Sequence, residues 1–229
     1  AHPEERAREG PFYGDLFGPL VCMGFVLIQG RADANSKAVA AARLRCRAIV
    51  SADAWLQEGN RYILVPLSLH AGARVEAVLA CVSSKPVVLR ERCLDPAVVR
   101  LAWAAYARSG PRGERRNFHD LYLYMRQAEG GATVLLAENH GTMFARVGIN
   151  FESDELRFSR CSPETSDWLP PGFGQVLQVA LPDDASGGNT GWRCSQSFQT
   201  SHHNPDPPWH TPGLDACGNM RSLHEPFSL

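Results

Sequence analysis

Trp55-Leu56-Gln57-Glu58-Gly59-Asn60-Arg61-Tyr62-Ile63-Leu64-Val65-Pro66-Leu67 decides how this sequence is read, because a later stretch repeats its design. Trp168-Leu169-Pro170-Pro171-Gly172-Phe173-Gly174-Gln175-Val176-Leu177-Gln178-Val179-Ala180-Leu181 again runs Trp-Leu, two turn-type residues, Gly, a short spacer and an apolar strand. Each Gly is expected to supply the positive φ of a tight turn, and the run after it suits a half-buried sheet. Trp55 and Trp168 read as core anchors at the base of the two turns. Two such copies in one chain imply two sandwiches of similar build.

Short apolar runs separated by turn residues continue this theme. Leu20 to Gln29, Arg45 to Val50, Tyr62 to Leu69, Val75 to Val82 and Val87 to Arg90 read as strands in the first part. Leu121 to Arg126, Thr133 to Ala137, Met143 to Asn150, Glu155 to Arg160, Val176 to Leu181 and Trp192 to Phe198 follow in the second. Ala38 to Leu44 reads as a helical turn. The clearest helix has Asp95 as N-cap, Pro96 at N1, Gly110 as its stop, and Val99, Trp103 and Tyr106 on one face. The predicted fold is all-β: two tandem C2-like antiparallel sandwiches over residues 1–72 and 73–200, with one helix crossing the second. The first is short of the about 100 residues an Ig-like sandwich takes, so it is either reduced or missing early strands. Residues 201–229 are rich in Pro and His and read as an extended tail. Its isolated Trp209, Leu214, Met220, Leu223 and Phe227 are expected to gain order on a partner rather than on their own domain.

Composition narrows the function classes. A formal charge of −1 removes the electrostatic reason to expect nucleic acid. No run approaches the roughly 18 apolar residues of a membrane span, so none is expected. The first ten residues are charged and carry no apolar signal core. Seven scattered cysteines fit reduced thiols and a cytoplasmic location better than a disulfide scaffold.

At this point the residues carry a resemblance. Leu56 to Pro66, Leu-x-x-Gly-x-x-Tyr-Ile-Leu-Val-Pro, is similar to the end of the C2-like sandwich of calpains. Tyr122-Leu123-Tyr124, Val134 to His140, Phe151 to Glu155, Arg157 to Arg160 and Pro170-Pro171-Gly172 through Leu177 resemble the SOL homology domain of the small-optic-lobes calpains. The likeness covers about residues 16 to 200. The papain-like core of that family, with its Cys, His and Asn signatures, is absent from this sequence, as are its zinc fingers. The resemblance therefore implies a non-catalytic regulatory or interaction region of a larger cysteine protease. The alternative is a structural sandwich subunit of a large assembly without protease activity. Partners are expected to be proteins or the protease core of a longer parent chain.

No catalytic residue, cofactor or metal is assigned. Cys194 with His202 and His203 offers a thiol and a base but no oxyanion hole. His202, His203, His210 and Cys217 lack the tight pairs that preorganise zinc. Asp183-Asp184 and the separate Glu152, Asp154 and Glu155 have the composition of turns, whereas Ca²⁺ needs six to eight converging oxygens. Arg112, Arg115 and Arg116 in a polar loop are interaction candidates through guanidinium contacts. Trp209 is another, as a docking aromatic.

Overall fold

The fold was obtained as a computed structural model. It describes residues 22–30, 33, 36–46, 50–68, 78–93, 95–109, 114–118, 120–127, 132–153, 155–182, 191–203 and 223–229. Strands β1 (Cys22–Gln29), β2 (Ala38–Cys46) and β3 (Tyr62–Ser68) come first, followed by helix α1 (Pro96–Arg108). Then come β4 (Glu114–Phe118), β5 (Leu121–Gln127), β6 (Thr133–Asn139), β7 (Phe144–Glu152), β8 (Leu156–Phe158) and β9 (Glu164–Leu169). The last are β10 (Phe173–Pro182), β11 (Arg193–Ser201) and β12 (Phe227–Ser228). The architecture is all-β, with three antiparallel sheets and one helix among the described residues.

The first sheet has the order β2-β1-β3. Helix α1, rather than a second sheet, shares its core: Val26, Ile28, Val65 and Leu67 pack in one cluster with Ala102, Trp103 and Tyr106. That cluster continues into Val134, Leu136, Val176 and Val179 of the central sheet, whose path is β12-β10-β6-β5-β4 with β8 also on β10. On the other face of the central sheet, Leu121, Leu123, Leu135, Ala137 and Leu177 meet Ala145, Val147, Ile149, Phe151 and Leu169 of the third sheet, β11-β7-β9. The layers thus run sheet, helix, sheet, sheet.

This layering explains the sequence of β6. Every residue of Thr133–Asn139 is buried, because one face looks to the helix core and the other to the third sheet. A doubly covered strand reads as a continuous apolar run, and Val134-Leu135-Leu136-Ala137 is one. In β10 a register irregularity between Val176 and Gln178 resets the alternation. Val176 and Val179 therefore share a face although they are three residues apart.

Helix α1 begins as its sequence requires: Asp95 accepts from the Ala97 amide at 2.8 Å, with Pro96 inside the first turn. Its second half is buried all round, Ala102 to Ala107, because sheets lie on both sides. Ala38 to Leu44 is strand β2, not a helical turn, since pairing with β1 overrides the helix preference of alanine. The strands expected at 75–82 and 87–90 are not formed in the described part, 78–93, which is irregular and exposed throughout. Valine-rich sequence favours a strand only when an edge is there to pair with it.

The tail expectation is overturned at its end. Leu223 and Phe227 are buried members of the helix-side core, and β12 pairs with β10 at Gly174 and Phe173. They offset the cost of ordering by filling a place in their own domain. Trp209, Leu214 and Met220 lie outside the described residues.

Candidate interaction surfaces

The turn before β3 has the expected geometry: Gly59 adopts φ +80° and Asn60 N donates to Gln57 O at 3.3 Å. Asn60 Nδ2 donates to Gln57 Oε1 at 2.9 Å, and Gln57 N donates to the Tyr62 hydroxyl at 2.8 Å. Gly172 likewise has φ +74°. Trp55, however, is 98% exposed rather than a core anchor. The helix covers the first sheet at Val65 and Leu67, and among the described residues no layer extends over the turn. Trp168 is half-buried near the end of β9, opposite Arg146 of β7, so the two tryptophans do not play equivalent parts.

Beside the Gly59 turn runs the exposed segment 78–93. Val78 is 98% and Val82 100% exposed, and Leu79, Val87, Val88 and Leu89 are also open to solvent. Lys85 Nζ pairs with Glu58 at 2.6 Å, tying the segment to the turn through two exposed side chains. Such a pair contributes at most about 1 kcal/mol, so it places the segment without holding it rigidly. Cys81, within its first apolar run, and Cys93, at its end, are both exposed.

Of the basic loop candidates, Arg112 lies outside the described residues. Arg115 and Arg116 are on β4, paired with Tyr124 and Leu123. They belong to the edge strand of the central sheet instead of a loop, because a hairpin at Asp120, with φ +66°, folds 114–118 back onto β5. Trp209 is not described. His202 and His203 are exposed beyond β11, and Cys194 is half-buried on that strand. Among the described residues no group of three His, Cys, Asp or Glu side chains gathers. Cys161, with φ +54°, is disulfide-bonded, which corrects the expectation of reduced thiols throughout.

Three polar arrangements were not legible in the sequence. The first is a shallow trough of about 350 Å³ on the outer face of the third sheet. Ser166, Gly148 and Ser197 lie in register across its floor, and Arg146, Asn150 and Gln199 line it. Arg146 Nε donates to Ser166 Oγ at 2.7 Å, which holds its guanidinium against the sheet.

The second lies at the far end of β6. Glu138, nearly fully buried, divides its two oxygens between Arg108 of the helix and His140 Nε2, the latter at 3.1 Å. Tyr122 meets the His140 ring edge-on at 5.1 Å. The next residue, Asn139, donates to Met143 O at 2.8 Å and Leu169 O at 2.9 Å, and accepts from Gly141 N at 3.1 Å. A carboxylate so engaged is a structural joint between helix and strand.

The third is a buried ion pair. Arg160 and Asp167 are 0% and 1% exposed and meet through both guanidinium ends, with Nη2 to Oδ1 at 3.0 Å. Arg160 Nη1 also donates to Leu177 O at 3.1 Å. Sequence offers no signal for this pairing, because seven residues and a turn separate the partners and only the fold brings them together.

Compared with protein-family models, curated proteins and solved structures, the chain matches none.

Proposed function

We propose that this chain is a non-catalytic, protein-interaction region of a larger cytoplasmic protease of the calpain type, and that it makes contact through segment 78–93 together with Trp55. The observation that carries the reading is the exposure of Val78, Val82 and Trp55 with their apolar neighbours. Several large apolar side chains exposed along one short segment mark an interaction site, whereas a single exposed leucine does not. The segment also has strand-forming composition and no strand partner among the described residues, which suits β-addition to a sheet edge of the protein it meets. The calpain-type identity rests on the sequence resemblance around Leu56 to Pro66 and Tyr122 to Leu177.

A photo-crosslinking residue at position 82 of the protein in its native cells tests the surface. Crosslinks from position 82 to one defined protein segment, a protease core above all, are the expected result. Crosslinks confined to its own β1–β3 sheet would remove the interaction reading. The calpain-type part is tested separately: the chain alone should not cleave casein, and no single cysteine should take an active-site thiol probe. The cytoplasmic location has its own test at Cys161, since cytosolic thiols are held reduced. Differential alkylation of native material decides it: Cys161 found reduced supports the cytoplasmic reading, and an intact bridge, the state of Cys161 in this structure, removes it and places the protein in an oxidising compartment.

A further inference from the structure

The last described segment, 223–229, is seated on the edge of β10. Phe227 and Ser228 pair with Gly174 and Phe173, and Leu229 N donates to Gly172 O at 2.9 Å. The Phe227 ring lies so close over Gly174 that a Cβ there would come within 2.7 Å of it. The Arg108 guanidinium stands 6.0 Å from the centre of the same ring.

His224 sits inside this seat with no exposure. Its Nδ1 is 2.7 Å from Val176 O, and a carbonyl only accepts, so Nδ1 carries the hydrogen and Nε2 the lone pair. Gln175 Nε2 donates to His224 O at 2.8 Å, fixing the backbone of the segment to β10. A second ring proton would enter at Nε2, which has no hydrogen-bond partner among the described residues. The charged groups on the surrounding elements are already matched: Arg160 with Asp167, Arg108 with Glu138, and Arg100 with Glu225 at 2.6 Å. Among the described residues no carboxylate is thus available to balance an imidazolium.

We infer that segment 223–229 is an acid-released latch, in which protonation of His224 at Nε2 expels the segment and bares the β10 edge. A proton arriving there produces a buried cation with an unpaired donor beside Arg160, and the ring reaches water only by leaving. Release uncovers the strand edge at Phe173 and Gly174 and the apolar seats of Leu223 and Phe227. This inference does not depend on what covers segment 78–93.

Burial moves the ring pKa from 6.5 down to about 3, outweighing the Val176 bond that would raise it, and Arg160 lowers it further. The released segment titrates at 6.5 and the seated one near 3, so the latch holds fully above pH 6.5 and weakens as pH falls towards 3. Hydrogen exchange on the whole chain reads this at the Leu229 amide, after correction for the intrinsic pH dependence of exchange. Protection at Leu229 should fall about 25-fold between pH 7 and pH 5 while β6 amides keep theirs. His224→Asn, whose amide can still donate to Val176 O but does not titrate, should abolish the fall. An equal fall in that variant, or a parallel loss in β6, overturns the inference. Should the variant fail to seat the segment, wild-type ring shifts decide by themselves. A ring that protonates near pH 6.5 while Leu229 stays protected refutes the latch, and one that protonates only as Leu229 opens upholds it.

Discussion

Replacing Asp167 with Asn leaves Arg160 charged, fully buried and without a counter-ion. Arginine cannot escape by losing a proton, so the whole penalty falls on stability. Three hydrogen bonds hold Arg160 in the native fold, two to Asp167 and one to Leu177 O. Asn keeps one acceptor near the guanidinium and Ala keeps none. The expected cost is therefore about 3 kcal/mol for Asp167→Asn and about 5 kcal/mol for Asp167→Ala, the range for breaking a buried pair from one side. The converse variant behaves differently. In Arg160→Met the Asp167 carboxyl, having lost its guanidinium, can take up a proton, because burial then raises its pKa. Its destabilisation should shrink between pH 8 and pH 5, whereas Arg160 in Asp167→Asn has no such relief. The double variant Arg160→Met with Asp167→Leu should recover most of the loss, since apolar replacement of a whole buried pair is often neutral. Urea denaturation followed by tryptophan fluorescence at both pH values measures all four proteins. A cost below about 1 kcal/mol for Asp167→Asn would mean that water reaches the pair, and the reasoning from burial would fail. So would a penalty for Arg160→Met that is the same at pH 5 and pH 8.

The two turn glycines should respond unequally to the same change. Val at Gly59 or Gly172 costs about 1–3 kcal/mol for its positive φ, though a Cβ meets no neighbour at either site. Gly172 should stand at the upper end because it also exchanges backbone bonds with Asn139 and Leu229, and urea midpoints of the two variants compare them. Gly174→Ala pushes directly on the Phe227 ring and should cost about 1–3 kcal/mol by overpacking, with Leu229 exchange accelerated more than that of β6. Deleting residues 223–229 should lower the thermal midpoint by several degrees, as removing Leu223 and Phe227 forfeits about 1.5–3 kcal/mol of burial for each. An unchanged midpoint would show that they contribute nothing to the core.

Much of the fold was legible because it depends on local chemistry. Apolar runs bounded by turn residues placed β3, β5, β6, β7 and β10, and the Asp95-Pro96 pair placed the helix. Elements defined by a distant partner were not legible. Segment 78–93 has the composition of a strand but joins no edge among the described residues, and β12 is two residues that only β10 turns into a strand. The repeated Trp-Leu motif gave the right backbone at both glycines and the wrong burial for Trp55. Backbone conformation follows from the glycine itself, while burial needs a layer that no nearby residue announces. The candidate site was less legible still. Exposure of Val78 and Val82 is known only once everything that might have covered them is in place, and the seat of His224 joins residues 48 positions apart.

The doubly covered strand β6 has a consequence for how the sheet finds its alignment. Where one face of a strand is wet, sliding by one residue drives apolar side chains into water and is corrected at once. Sliding Val134-Leu135-Leu136-Ala137 by one residue merely exchanges two apolar sets between two apolar cores, so that penalty is largely missing here. Alignment must come from side chains that fit in one place alone, and they stand together at the end of the strand. Glu138 reaches Arg108 on one layer, while Asn139 binds Leu169 O on another. A slipped strand would bury the acid without its arginine and the amide without its carbonyls. Two adjacent polar residues thereby act as the ratchet tooth of an otherwise smooth rod, and they set the alignment of β5 and β10 on either side of it.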